Sequence, residues 1–120
     1  MQNLWRLIAA SFLLGIADAS EVVRLVTWNL EWFPGRKPVS SNEEQDLHFF
    51  EVAAQLAQFR ADVIVLQEVR SDNDMQKLLP YLPGFSVHVT SRFKDQFSGT
   101  LGQQQISILS RYKADAAWSE

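Results

Sequence analysis

The segment at residues 62–68 limits the possible folds more than any other. Val63-Ile64-Val65-Leu66 is a continuous apolar run, entered through Asp62 and left through Gln67-Glu68. A run this short, with no polar alternation, suits a strand covered on both faces. The stretch before it has a helical period. Ser41 stands three residues before Glu44, a capping-box pattern. Phe49, Val52, Ala53, Leu56, Ala57 and Phe59 then gather on one face, with Glu51, Gln55 and Gln58 opposite. Earlier still, residues 22–29 are rich in Val, Thr, Leu and Trp, the composition of a strand. Pro34-Gly35, Pro38, Ser40 and Ser41 mark the loop between strand and helix. A strand, an amphipathic helix and a buried strand in succession predict an α/β fold, a mixed sheet with flanking helices.

The remainder is shorter-ranged. Asp72 or Asp74 is expected to cap a brief helix through Met75, Leu78 and Leu79, which Pro80 and Pro83 stop. Phe85, Val87 and Val89 alternate with Ser86, His88 and Thr90, a half-buried strand. Residues 91–102 are polar and glycine-bearing and read as a loop or hairpin connection, and residues 106–109 as another strand. Residues 114–120 open a further strand or a turn. Four or five strands with one full helix leave sheet edges and a face uncovered, so the chain is expected either to continue or to pair with another copy.

The first nineteen residues have a different character. Arg6 supplies a weak positive region, residues 7–17 are almost wholly apolar, and Ala17-Asp18-Ala19 fits a small-x-small cleavage site. The apolar run is shorter than the roughly 20 residues that span a bilayer. Residues 1–19 therefore read as a signal peptide and residues 20–120 as the mature chain, secreted or periplasmic, with no stable membrane insertion after cleavage. A buried N-terminal helix or an uncleaved anchor starting at Leu4 is the alternative. The chain is 47% hydrophobic and 21% charged, as a folded globular protein should be, and it has no cysteine. Disulfides, thiolate metal sites and a cysteine nucleophile are excluded. The net charge of −3 means that the surface as a whole does not attract nucleic acid, which leaves room only for a local basic patch.

Two polar groups fall at the C-terminal ends of apolar strands: Asn29 after Leu25-Val26-Thr27-Trp28, and Glu68 after residues 63–67. Ligand sites in open sheets gather at such ends. If the two strands are parallel neighbours, amide and carboxylate converge. Mg²⁺ often takes only one or two carboxylates plus substrate phosphate. Glu68 is then a metal ligand, and Asn29 either holds a phosphate oxygen or orients Glu68. A polar residue that merely begins a loop is the plainer reading. Trp32 and Phe33 follow Asn29 in what is expected to be a loop, where they either pack on the core or stack on bases. His48, at the edge of the helix's apolar face, is expected on the helix surface. His88 is expected on the polar side of its strand.

The segments Leu25-Val26-Thr27-Trp28-Asn29-Leu30 and Asp62-Val63-Ile64-Val65-Leu66-Gln67-Glu68-Val69 resemble the first two motifs of the endonuclease/exonuclease/phosphatase superfamily. Ile106-Ser107-Ile108-Leu109-Ser110-Arg111-Tyr112 is similar to a later strand motif. The superfamily includes secreted deoxyribonucleases, apurinic-site endonucleases, sphingomyelinases and inositol-polyphosphate phosphatases. The resemblance implies the N-terminal part of a four-layer α/β sandwich, apparently truncated. It implies catalytic roles for Asn29 and Glu68, with Glu68 coordinating Mg²⁺ or Mn²⁺. Gln67 would support the site from behind, and Arg111 would be structural. The implied activity is metal-dependent hydrolysis of phosphate esters, with phosphodiester bonds of nucleic acid or another phosphodiester as substrate. The family's Asp-x-Asn motif and C-terminal Asp-His pair have no counterpart here, so the 120 residues alone are expected to be inactive. The alternative is a non-catalytic secreted binding or structural protein that homodimerises. Oligomeric state is left open.

Overall fold

The computed structural model describes residues 21–119. The signal-peptide reading falls on residues 1–19, outside the described residues. The described chain runs β1 (Leu25–Phe33), α1 (Asn42–Gln58), β2 (Val63–Val69), α2 (Asp72–Gln76), a 3-10 turn (Leu79–Tyr81), β3 (Ser86–Thr90) and β4 (Gln105–Ser110). The strands form one mixed sheet in the order β1-β2-β4-β3, with β1 and β2 parallel and the other two pairs antiparallel. This is the α/β architecture with flanking helices that the strand–helix–strand pattern predicts. Among the described residues no helix is long and apolar enough to cross a membrane.

α1 starts where the capping pattern places it. The Ser41 hydroxyl accepts from the Glu44 backbone N–H at 3.2 Å, and the Glu44 carboxylate accepts from the Ser41 N–H at 2.8 Å. Val52, Ala53 and Leu56 are buried against one face of the sheet, where they meet Ile64, Leu66 and Leu109. The loop into α1 depends on Gly35. Its φ is +111°, and a Cβ there would sit 2.0 Å from the Ser40 hydroxyl.

Several expectations need correcting. Residues 63–66 are not covered on both faces. Ile64 and Leu66 are fully buried, while Val63 and Val65 are only half-buried on the opposite face. That open face also carries Leu25, Ile106 and Ile108, which are 63%, 38% and 37% exposed. Residues 30–33 are not a loop after Asn29 but the irregular end of β1. The short helix is capped by Ser71, not by Asp72 or Asp74, because only the Ser71 hydroxyl reaches a free N–H, that of Asp74. Asp74 itself is buried, and Arg70 grips both its oxygens at 2.8 Å. His48 is buried, not on the helix surface. Strict alternation in β3 breaks between Val87 and Val89, so Val89 pairs with Ile108 and Thr90 with Ser107. Residues 114–119 form no strand.

Candidate functional site

The cross-strand register decides which side chains can meet. Asn29, Gln67 and Ile106 form one row across β1, β2 and β4 on the open face, and Trp28, Leu66 and Ser107 form the next row on the core face. By period-two alternation Glu68 belongs with Ile64 and Leu66 on the core side, away from Asn29. It does not go there. The register shifts between Gln67 and Val69 and again between Asn29 and Phe33, so that Phe33, Val69 and Gln105 make the next buried row. Glu68 is the extra residue of β2, with φ at 58°. Glu31 and Trp32, with φ at 55° and 56°, are the extra pair in β1. Left-handed backbone at non-glycine residues costs of order 1–3 kcal/mol each and is found where surroundings over-determine it. Paired bulges re-aim a side chain that the pleat would otherwise bury.

The result is a carboxylate held on both oxygens. The Asn29 amide Nδ2 donates to Glu68 Oε1 at 3.0 Å, and the Trp32 backbone N–H donates to Glu68 Oε2 at 3.1 Å. The Asn29 amide is itself oriented, since its Oδ1 accepts from the Glu31 N–H at 2.9 Å. That bond leaves the NH₂ group facing Glu68. Asn29 lowers the Glu68 pKa from its ordinary 4.5. Slight burial works against this, while the Trp32 N–H and the Gln104 side chain lower it further. The half-buried carboxylate is therefore ionised and carries lone pairs beyond those its two donors use.

The Gln67 side chain makes no hydrogen bond to Glu68. Its Nε2 donates to Thr27 Oγ1 at 2.8 Å and to the Val65 carbonyl, tying β1 to β2. Arg111 is structural: its Nη2 donates to the Ala61 carbonyl, its Nε lies 3.6 Å from Asp62, and it stacks over Phe85. Phe33 is fully buried against Phe49, and Trp32 is half-buried. Neither histidine reaches the Glu68 carboxylate. His48 Nδ1 accepts from the Gly35 N–H at 2.9 Å. His88 is 2.6 Å from the hydroxyl of Ser110, whose partner Val63 lies at the far end of β2 from Glu68. Among the described residues no group of three or more His, Asp or Glu side chains could hold a metal ion. The backbone donors of Glu31 and Trp32 have no residue signature and were not foreseeable as such. The three-residue spacings Leu30-to-Phe33 and Leu66-to-Val69 were the available signal of the bulges.

No curated protein and no solved structure is a significant match to the chain. A family model does match, over residues 26–118, which takes in every strand except the first residue of β1. On that match, the chain belongs to the endonuclease/exonuclease/phosphatase family.

Proposed function

We propose that the protein is a metal-dependent hydrolase of phosphodiester bonds, with nucleic acid as its substrate class, acting outside the cytoplasm after loss of residues 1–19. Family membership supports hydrolase function at the superfamily level. One observation carries the finer reading: the bulge at Glu68, which spends left-handed backbone in both strands to present an ionised carboxylate beside Asn29. A residue with no role in a site could have stayed in the pleat.

Glu68 fits a Mg²⁺ or Mn²⁺ ion as a single carboxylate ligand, because it is ionised, partly exposed and rigidly held. One carboxylate with waters and substrate oxygens is a common way to bind Mg²⁺. When bound, the ion would offset charge on the phosphoryl oxygens. Asn29 fixes the direction of the carboxylate. In this reading the second N–H of its amide would donate to a substrate oxygen while the first keeps Glu68 in place. Neither described histidine stands beside Glu68 as a general base, since His48 and His88 are engaged elsewhere. That same engagement favours the second reading, a non-catalytic binding protein.

The test is turnover of a plasmid or of a bis-aryl phosphodiester by the full-length protein, with Mg²⁺ or Mn²⁺ and with chelator. Glu68→Ala should lose more than about 100-fold in metal-dependent rate, and Asn29→Ala about 10- to 100-fold, with circular dichroism unchanged. Unchanged turnover and metal dependence in Glu68→Ala would remove Glu68 from the mechanism. A wild-type protein with no phosphodiesterase activity would favour the non-catalytic reading.

A further inference from the structure

The connection between β3 and β4, residues 91–104, leaves the sheet at the end where Asn29 and Glu68 meet. Gln105, the first residue of β4, pairs with Val69, and Ile106 pairs with Gln67, so the connection enters the sheet beside Glu68. Its base is clamped by the buried Gln105 side chain. The Gln105 Oε1 accepts from the Ser91 hydroxyl and the Phe93 N–H, and its Nε2 donates to the Phe93 and Gly102 carbonyls. Its tip is tied by Asp95, whose Oδ1 accepts from the N–H groups of Phe97 and Ser98 at 2.9 and 2.8 Å. The backbone N–H of Asp95 donates to the Thr100 carbonyl at 2.8 Å. So closely bonded a hairpin is pre-organised, and little ordering cost remains when it meets a ligand.

This ordered tip presents a phenyl ring to solvent. Phe97 is 90% exposed, the highest value among the exposed large hydrophobic residues, so folding gains almost nothing from it. Arg92 and Lys94 stand exposed on the same arm. Among the described residues they have no ion-pair partner, as is also true of Arg24, Arg60 and Lys113, whereas Arg36 pairs with Glu31 and Glu51, and Lys37, Arg70, Lys77 and Arg111 with one acid each. The Asp95 carboxylate is turned into the loop by the Phe97 and Ser98 N–H groups and keeps its charge, so residues 91–104 carry a net charge of +1. In a chain of net charge −3 this is a local cationic departure with an aromatic at its end.

We infer that residues 91–104 are a substrate-gripping arm, in which Phe97 stacks on an unpaired nucleobase of single-stranded nucleic acid while Arg92 and Lys94 neutralise its phosphates. The inference rests on the phosphodiester reading above and names what grips the strand beside Glu68. A phenyl face suits any base and needs no hydrogen-bond partner, and cations flanking an aromatic are how such strands are held without sequence preference. A lipid surface is a poorer fit. Insertion needs a broad apolar face, and Phe97 is flanked by Gln96, Ser98 and Thr100.

The experiment is anisotropy of a labelled single-stranded oligodeoxynucleotide titrated with the full chain in EDTA, so that hydrolysis does not enter the readout. Phe97→Ala and Phe97→Leu should each raise Kd about tenfold, roughly 1.4 kcal/mol, and Phe97→Trp should restore it. Changing Arg92 and Lys94 together to Gln should flatten the slope of log Kd against log salt by about 1.4, or about 0.7 per phosphate contact. Wild-type affinity in Phe97→Leu, or no oligonucleotide binding by the wild type, overturns the arm. So does Phe97-dependent capture by phosphatidylserine vesicles in place of oligonucleotide. Binding through Phe97 by a protein without phosphodiesterase activity would sink the proposed function and leave the arm. Normal cleavage with no effect at Phe97 would do the reverse.

Discussion

At His48 the chain buries an imidazole in its neutral form. The Gly35 N–H donates to Nδ1, and the ring packs edge-on to Phe33 with centroids 5.1 Å apart. Burial lowers its pKa below the ordinary 6.5, Arg36 adds to this, and Glu51 and Glu31 oppose it. A proton on Nδ1 would set two donors against each other. Because the folded form holds its pKa below the unfolded value, the unfolded chain binds more protons as pH falls from about 6.5. Stability from this group is thus complete above that pH and declines below it, until the folded imidazole also titrates. His48→Asn keeps an acceptor oxygen for Gly35 without the titration. Melting temperatures between pH 7 and pH 5 should fall more steeply for the wild type than for this variant. Parallel curves would show that another group governs acid sensitivity in that range.

The elements vary in how openly the sequence announces them. α1 is the clearest: its capping box is built as the sequence spells it, and Val52, Ala53 and Leu56 of its apolar face are buried, whereas Ala57 and Phe59, expected on that face, are exposed, Phe59 standing just past the helix as its C-cap. Ser41→Ala should therefore cost about 1 kcal/mol in urea unfolding, from loss of the bond to the Glu44 N–H. A cost near zero would mean that water caps the helix equally well. β1, β2 and β4 were legible from apolar content, and the closeness of Asn29 and Glu68 followed from assuming that β1 and β2 lie parallel and adjacent. What period-two reasoning lost was phase. Glu31 and Trp32 in β1, Glu68 in β2 and His88 in β3 each interrupt the pleat, and alternation counted through them puts later side chains on the wrong face. The burial of His48 is hidden from the sequence for a different reason. A histidine at the margin of a helical stripe is polar by type, and only the approach of Gly35 supplies the partner that lets it be buried. The cap of α2 is ambiguous in the sequence because Ser71, Asp72 and Asp74 are all good capping types.

At the scale of the molecule the sheet is two-sided in an unequal way. One face holds the core with α1, and the other carries half-buried and exposed aliphatics among the described residues. The apolar run in β2 suggested two covered faces because Val63 and Val65 are as apolar as Ile64 and Leu66; composition cannot tell a covered face from an open one. Adjacent residues of β4 test the asymmetry. Leu109→Ala, at a position with no exposure, should cost about 3 kcal/mol, while Ile108→Ala should cost about 1 kcal/mol or less. Equal losses in urea midpoint would mean that both faces are packed in solution.

The bond between Asn29 and Glu68 joins residues 39 apart in the chain, and the loop it closes contains the whole of α1. Neither partner can find the other until the helix has crossed and both strands lie side by side, and closing such a loop is worthwhile only once the core rewards it. The carboxylate therefore has no local precursor. A chain that has lost its tertiary order keeps both side chains but no longer brings them together. On the proposed function, a ligand held there would favour the intact form by mass action, and its binding would gauge the native population.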